Sequence, residues 1–369
     1  MAIPWSEADF GRAEKAAAFR VIRSGWLTQG KETELFEKEL ARYLGVDYAV
    51  VTNSGTSALI ASLLSHGIGP GDEVIVPTYT FIATVNSVLA VGAKPILADS
   101  HRDYFDITPD TCERLITKRT RAIMPVDVMG MPIDVVGFRK LCRKYKLALI
   151  EDGAQAIGAE YKGRKIGSWG HSTIFSFHMA KVVTAVEGGC VVTNNKRVAD
   201  GVRMIRNHGR LEFYQPRKHG TEYNFEGFGL NFRINDVLSA IGRVQLAKVN
   251  RALAHRKRLV AFYKKELANL FEFQKIPEYV TVHANMIFAI LCPKGRRDYI
   301  NQKLFDAGVQ TRITWPCAHK QKWHRLYFGK VSLPSAEEIS ERILSIPIGN
   351  KISLDQARRV VKVLRQSLL

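Results

Sequence analysis

The sequence predicts an α/β fold with a mostly parallel central sheet flanked by helices. Between residues 36 and 170, short apolar runs alternate with stretches of helical character, which is the pattern of parallel strands joined by crossover helices. A long helical region over Asp236–Phe271 then leads into a shorter set of strands and helices. We therefore expect a large domain over residues 1–250 and a smaller α+β domain over residues 251–369.

The individual elements follow from apolar patterning. In the first part of the chain, strands are predicted at Tyr48–Val51, Glu73–Pro77, Lys94–Ala98, Ala122–Val126 and Ala148–Glu151. Helices are predicted between them at Thr56–Gly67, Phe81–Gly92 and Val135–Tyr145. Further apolar runs at Ser172–Phe177 and Gly189–Thr193 flank Lys181. In the small domain, a strand is expected at Met286–Leu291, and helices at Arg297–Ala307 and Leu354–Leu368.

Composition narrows the class of protein. The 369 residues, 46% of them hydrophobic, can bury a large core. No apolar run reaches the length of a membrane span, and the first ten residues do not have a basic start followed by an apolar stretch. The five cysteines are scattered, which indicates neither a disulfide framework nor a metal site. We expect a soluble cytoplasmic protein without a metal and without a membrane partner.

The formal charge of +19 allows several kinds of partner. The lysines and arginines are spread along the chain, and the densest runs, at Lys118–Arg121, Arg139–Lys146 and around Arg256, fit helix faces or turns. A nucleic-acid partner is therefore not expected, and an anionic small substrate explains the excess of positive charge at least as well.

The segment from Ile150 to Gly189 carries the clearest chemical signal. Asp152 ends an apolar run, and Lys181 follows it in a Ser-Phe-His context. A carboxylate can keep the ring nitrogen of pyridoxal phosphate (PLP) protonated, and a partly desolvated lysine amine can bond its aldehyde. Taken singly, Asp152 is better explained as a loop cap and Lys181 as a surface lysine. Together they predict PLP as cofactor and Lys181 as the catalytic residue.

A phosphate site is predicted where the first strand meets the first helix of the alternating region. The segment Asn53–Leu59 offers a glycine, hydroxyl groups and the free amides of a helix start, all of which suit an anion. Alone it is also ordinary helix capping, but the ends of parallel strands share one edge, which would place it beside Asp152. The same edge receives Tyr79 and Phe81, either of which could stack on a cofactor ring or belong to the core.

These motifs carry a family resemblance. The chain resembles the sugar aminotransferases of the DegT/DnrJ/EryC1/StrS family, fold type I PLP enzymes that convert nucleotide-linked keto sugars into amino sugars. The matching segments are SGWLTQG at Ser24–Gly30, SGTSAL at Ser54–Leu59, PTYTFIAT at Pro77–Thr84, EDGAQAIGA at Glu151–Ala159, FSFHMAK at Phe175–Lys181, EGG at Glu187–Gly189 and LNFRINDVLSAIGRVQL at Leu230–Leu246.

The resemblance implies roles for individual residues. Lys181 matches the Schiff-base lysine, which also moves protons as general base and acid, and Asp152 matches the partner of the pyridinium nitrogen. The other implied cofactor contacts are Gln155 at the ring hydroxyl, Gly55, Thr56, Ser57 and Ser176 at the phosphate, and Phe81 on the ring face. Asn231 matches an asparagine that reaches the phosphate from the neighbouring subunit, which implies a homodimer with shared active sites.

The resemblance also implies a reaction. Glutamate would be the amino donor, and the acceptor would be a nucleotide-linked keto sugar. The TQG segment beside Trp26 is most similar to members that act at C4, which favours a 4-keto-6-deoxy sugar. The acceptor's two phosphates call for cationic partners, for which the candidates are Lys31, Arg233, Arg312 and His319. Each could equally be a solvated surface residue. His178, three residues before Lys181, is a further candidate for substrate binding whose role stays open.

Departures from the family pattern leave two alternatives open. Val182 and Val186 stand where polar residues or glycine are common, Gly153 replaces a small side chain, and the segment Val126–Gly130 lacks a histidine. One branch of the family, which has histidine in place of the lysine, consists of dehydratases, and a regulatory protein on the same fold is the other alternative. The retained Lys181, with Asp152 and Ser176, favours transamination.

Overall fold

The computed structural model describes residues 2–169, 172–210 and 225–368. The first half contains α1 (Arg12–Ser24), α2 (Lys31–Leu44), β1 (Tyr48–Thr52), α3 (Gly55–Ser65), β2 (Glu73–Pro77), α4 (Ala83–Ala90), β3 (Lys94–Ala98), α5 (Pro109–Glu113), β4 (Thr120–Ile123), α6 (Val135–Tyr145), β5 (Ala148–Asp152), β6 (Glu160–Tyr161), β7 (Arg164–Lys165) and β8 (Ser172–Ser176). The second half contains β9 (Gly189–Thr193), α7 (Lys196–Arg206), α8 (Asp236–Ala247), α9 (Val249–Leu267), β10 (Val280–Val282), β11 (Phe288–Leu291), α10 (Arg297–Asp306), α11 (Lys322–Phe328), α12 (Pro334–Arg342), β12 (Ile343–Ile346) and α13 (Leu354–Gln366).

Seven strands form the central sheet in the order β1-β9-β8-β5-β4-β2-β3. The pairs β8-β5, β5-β4, β4-β2 and β2-β3 are parallel, whereas β9 runs antiparallel to both of its neighbours. Successive side chains of β2 enter different cores: Ile75 packs on one face of the sheet, and Val74 and Val76 pack on the other. A sheet covered on both faces explains why its strands are apolar runs. The predicted α/β class and mostly parallel sheet are confirmed.

The sheet brings the carboxyl ends of several strands to one edge. There β5 ends at Asp152, β8 ends at Ser176, and β1 ends at Thr52, just before the start of α3. The chain leaving β2 passes through Phe81 at the same edge before it enters α4. This edge therefore collects the residues that the sequence predicted for the cofactor.

A second core lies around the antiparallel pair β11 and β12, with side chains of α9, α10 and α13 packed against it. Ile3 is part of this core, and its backbone pairs with Val309. The N-terminal segment is thus attached to the C-terminal part of the chain. The division at residue 250 stays a prediction.

The long helical region predicted for Asp236–Phe271 consists of two helices. Helix α8 ends at Ala247 and α9 begins at Val249. Lys248 lies between them, and its φ of −95° and ψ of −5° interrupt the regular helix. Within the described residues, no helix is long and apolar enough to cross a bilayer. All five cysteines are buried as free thiols.

Candidate active site

A cavity of about 470 Å³ lies at the edge of the sheet where the strands end. Its wall is completed by residues 286–287 and 312–315 from the C-terminal part of the chain. The sequence-predicted residues that line it are Gly55, Thr56, Phe81, Asp152, Gln155, Ser176, His178, Lys181 and Arg312. Residues more than two hundred positions apart are therefore gathered into one site.

Asp152 is fixed at the end of β5 and is only 4% exposed. The Thr84 hydroxyl donates a 2.8 Å hydrogen bond to its Oδ2, and the Ala154 amide donates one of 3.2 Å to its Oδ1. Burial raises the pKa of Asp152, while these two hydrogen bonds and the positive charge of Lys181 act in the opposite direction. The carboxylate is therefore held in a single orientation and stabilised by a cationic neighbour.

Lys181 lies in the connection between β8 and β9, where its backbone amide donates to the His178 carbonyl at 2.9 Å. Loss of solvent around the amine lowers its pKa from 10.5 to about 8, and the attraction of Asp152 limits that fall. A surface lysine is almost fully protonated near neutral pH, whereas this one has an appreciable neutral fraction. It can therefore act as a nucleophile and exchange protons near neutrality.

The start of α3 forms an anion cradle. Ser54 caps the helix, with its Oγ accepting from the Ser57 amide at 3.0 Å, and the Ser57 hydroxyl donates to Asn53 Oδ1 at 2.6 Å. Gly55 faces Ser176 so closely that an added Cβ would lie 3.0 Å from Ser176 Cβ and 3.2 Å from its hydroxyl. The amides at the helix start and the Ser176 hydroxyl can thus surround a phosphate. Ser57 supports this cradle from within the cap instead of lining the cavity.

The structure separates the two aromatic candidates. Tyr79 is fully buried and donates its hydroxyl to the Thr314 carbonyl at 3.0 Å, so it belongs to the core. Phe81 lines the cavity with 57% of its surface exposed and can cover a flat ring. Gln155 accepts the Met129 amide on its Oε1 at 3.0 Å, which leaves its amide nitrogen to serve a ligand.

Four other predicted residues lie outside the cavity wall. Lys31 is exposed at the start of α2, and Arg233 donates to Asn207 Oδ1 at 2.9 Å. His319 is 2% exposed, with Thr78 Oγ1 at 2.7 Å from Nδ1 and Glu337 Oε1 at 3.0 Å from Nε2. Asn231 is exposed, and its carbonyl accepts from Asn53 beside the cradle at 3.3 Å. Within one chain, none of the four reaches the cavity.

Other cavity residues were missed by the sequence interpretation. Thr84 and Glu187 lie inside matched motifs, so their motifs are the signal that could have found them. Trp5 comes from the N-terminal segment, and the Arg312 guanidinium stands 5.8 Å from the centre of its ring. Nothing local in the sequence points to Trp5, because it reaches the site only through packing on the C-terminal part.

The donor set fits PLP. An amine of lowered pKa lies near a buried carboxylate, the helix start suits a phosphate, and an exposed aromatic ring lines the same cavity. Asp152 and Gln155 would hold the ring, Gly55, Thr56 and Ser176 the phosphate, and Lys181 the aldehyde carbon. Fold and site together define a PLP-dependent enzyme of fold type I.

The chain belongs to the DegT/DnrJ/EryC1/StrS aminotransferase family, whose model matches residues 9–365. Solved structures agree with this assignment. DesV of S. venezuelae is 36% identical, with a TM-score of 0.89 and coverage of 96% of this chain and 93% of DesV. The aminotransferase PseC of Helicobacter pylori, which is involved in pseudoaminic acid biosynthesis, is 29% identical with a TM-score of 0.92, covering 100% and 99%.

A further similar structure informs the cofactor. Spr1654 from Streptococcus pneumoniae, solved in a PMP form and a PLP form, is 26% identical in the PMP form, with a TM-score of 0.93 and coverage of 100% and 99%. The predicted family, fold and cofactor are confirmed. The protein is a PLP-dependent sugar aminotransferase.

Proposed function

We propose that the protein transfers the amino group of glutamate to a nucleotide-linked 4-keto-6-deoxy sugar in the cytoplasm. The observation that carries the proposal is the placement of Lys181 and Asp152 in one cavity with an anion cradle. PLP, when bound there, supplies an electron sink for breaking the bond between a carbon and its proton. The remaining steps are the work of side chains in the chain itself.

Lys181 is the residue that moves the proton. Its amine has a pKa of about 8, so near neutral pH it can take a proton from the amino-bearing carbon and return it elsewhere. Asp152 would keep the ring nitrogen of bound PLP protonated, and the Thr84 hydroxyl fixes the position of its carboxylate. The same two groups serve both half-reactions, one with the donor and one with the acceptor.

Arg312 is the best-placed cation for an anionic group of the substrate. It lines the cavity and is exposed, and no carboxylate among the described residues forms an ion pair with it. Its guanidinium donates to the Thr311 carbonyl at 3.3 Å, which leaves other donors for two phosphate oxygens. We propose that Arg312 binds the acceptor's diphosphate.

Lys31, Asn231 and Arg233 fit a homodimer better than a single chain. Asn231 is exposed beside Asn53, so its side chain can serve the cradle of a second copy. Large apolar side chains also lie exposed on α1 and just after it, at Phe19, Ile22, Trp26 and Leu27. Such a group of residues favours a protein partner. We propose that Lys31, Asn231 and Arg233 complete the site of the neighbouring subunit, whereas His319 stabilises the cavity wall from within.

The proposal is tested by supplying glutamate and a panel of nucleoside-diphosphate keto sugars. We expect release of 2-oxoglutarate and an amino-sugar product for at least one 4-keto-6-deoxy member, both abolished by Lys181→Ala. A keto-sugar product without nitrogen would instead identify a dehydratase. A protein that loses no activity with Lys181→Ala, or that aminates no member, would refute the proposed substrate or mechanism.

A further inference from the structure

His178 and Glu187 face each other beside Lys181 in the cavity wall. Both side chains are about half exposed, and His178 Nε2 stands 3.8 Å from Glu187 Oε1. This separation exceeds the length of a hydrogen bond, so the two side chains are close without bonding directly. A third polar atom placed to one side of the pair can lie within hydrogen-bond distance of both.

The histidine ring is oriented by the backbone. The Ala180 amide donates to His178 Nδ1 at 3.3 Å, so in the neutral ring the proton sits on Nε2, which is the nitrogen that faces Glu187. The surrounding turn is fixed as well, because the Ala185 amide and the Thr184 hydroxyl both bond the Phe177 carbonyl, at 2.9 and 3.1 Å. One donor and one acceptor are thus presented side by side.

Glu187 directly follows a residue whose backbone is strained. Val186 has a φ of 71°, in the left-handed region that β-branched residues rarely adopt, and its amide donates to Thr184 Oγ1 at 2.9 Å. Strain of this kind persists where the surrounding structure enforces it, and it is concentrated at functional sites. The strained turn thus leads directly into Glu187, which lines the cavity.

We propose that His178 and Glu187 bind the hydroxyl group next to the carbonyl of the acceptor sugar. An oxygen at about 2.8 Å from both atoms would subtend an angle of about 85°, which allows it to accept from His178 and donate to Glu187. The carbonyl carbon must lie at Lys181, and the pair stands beside that residue. Glutamate has no hydroxyl, so the pair distinguishes the acceptor from the donor. This inference rests on the proposed function.

The test uses the two half-reactions separately. His178→Ala and Glu187→Ala proteins are compared with Glu278→Ala, which changes an exposed glutamate outside the cavity wall. The protein in its pyridoxamine form is mixed with the accepted 4-keto-6-deoxy sugar and with its 3-deoxy counterpart, and kcat/KM is measured for each. The donor half-reaction with glutamate is followed by the change in cofactor absorbance.

We expect each cavity variant to lose about 10- to 100-fold in kcat/KM toward the hydroxylated acceptor and much less toward the 3-deoxy compound. The double variant should lose little more than either single one, because both act on one hydroxyl. Equal losses with both acceptors, or an equal loss in the donor half-reaction, would overturn the inference. If wild-type protein reacts with glutamate but with no keto sugar, the proposed function fails and the inference fails with it.

Discussion

The Thr84 hydroxyl donates a 2.8 Å hydrogen bond to Oδ2 of Asp152, the carboxylate that lines the same cavity as Lys181. Thr84 is itself buried, and its Oγ1 lies 2.9 Å from Thr80 Oγ1. The bond lowers the pKa of Asp152 against the effect of burial. Thr84 thus helps to keep the Asp152 carboxylate ionised and to fix its orientation.

Removing this bond should weaken catalysis without removing a reacting group. We expect Thr84→Val to lower kcat/KM of the glutamate half-reaction by roughly 10-fold, since hydrogen bonds to charged groups contribute about 1.5–3 kcal/mol. The low-pH limb of the pH–rate profile should also move to higher pH, because Asp152 would be protonated more easily. Thr84→Ser keeps the hydroxyl and is the matched control. Identical profiles for the two variants would show that the hydroxyl is not the cause.

The reactivity of Lys181 should depend on pH around its lowered pKa. In protein freed of cofactor, we expect the rate at which a dilute amine-reactive acylating reagent labels Lys181 to rise through about pH 8. The extent of labelling is measured by peptide mass spectrometry. Asp152→Asn removes the attraction that favours the ammonium form, so the rise should begin at lower pH.

Lys257, an exposed lysine on α9 outside the cavity wall that is labelled in the same sample, is the internal control for this measurement. Its labelling should be unchanged by Asp152→Asn. If the substitution leaves the Lys181 curve where it was, then Asp152 does not act on the amine.

Much of the fold follows from local pattern. Strands β2, β3 and β9 and helix α6 have the predicted bounds, because each of these runs ends at an abrupt change in composition. Helices α1, α2 and α7 were not predicted. Glycines with positive φ end the first two, at Gly25 and Gly45, and these stop signals could have revealed them.

The site was predictable where its chemistry is local. Asp152 ends β5, and Lys181 follows the end of the neighbouring parallel strand β8 by five residues, so the shared edge of parallel strands brings both into one cavity. The burial of His319 was not predictable, because its ring is bonded to Thr78, which lies 241 residues away in sequence. The role of Ser57 as part of a helix cap was visible in the sequence, but the choice between cap and cofactor contact depends on the direction of one hydroxyl.

A buried carboxyl group next to Asp152 in sequence should make the free energy of unfolding depend on pH. Glu151 is fully buried, accepts the Thr173 hydroxyl at 2.6 Å, and has an Oε1 without a partner among the described residues. Burial raises its pKa from 4.5 to about 7. The folded state therefore binds the proton more tightly than the unfolded chain. The contribution of Glu151 to the free energy of unfolding is therefore complete below about pH 4.5 and is lost as the pH rises through 7.

This loss should amount to roughly 3 kcal/mol, at about 1.4 kcal/mol for each pKa unit. Glu151→Gln carries no titrating proton and should flatten the fall in unfolding free energy between pH 5 and 8. The Asp127 carboxyl, whose pKa is raised by burial and by the negative charge of Glu151, still titrates in the variant, although the part of its shift due to Glu151 is removed. Chemical denaturation at several pH values measures the slope, with Glu278→Gln as the exposed control. An unchanged slope in Glu151→Gln would assign the titration to another group.

Relieving the backbone strain at Val186 should stabilise the folded protein. A β-branched residue at a φ of 71° costs about 1–3 kcal/mol, whereas glycine adopts this conformation freely. Glycine also makes the unfolded chain more flexible, which costs about 1 kcal/mol, so Val186→Gly should stabilise the protein by roughly 1 kcal/mol. Val136→Gly, at a similarly exposed valine within α6, should instead destabilise it. Thermal unfolding of both distinguishes relief of strain from loss of a side chain.

The same substitution should weaken catalysis while it strengthens the fold. With glycine at 186, the backbone no longer enforces the position of Glu187, so the acceptor half-reaction should slow more than the donor half-reaction. A higher melting temperature together with an unchanged acceptor rate would mean that the strained conformation does not serve Glu187. A lower melting temperature would show that packing of the Val186 side chain, 40% of which is exposed, outweighs the cost of its backbone conformation.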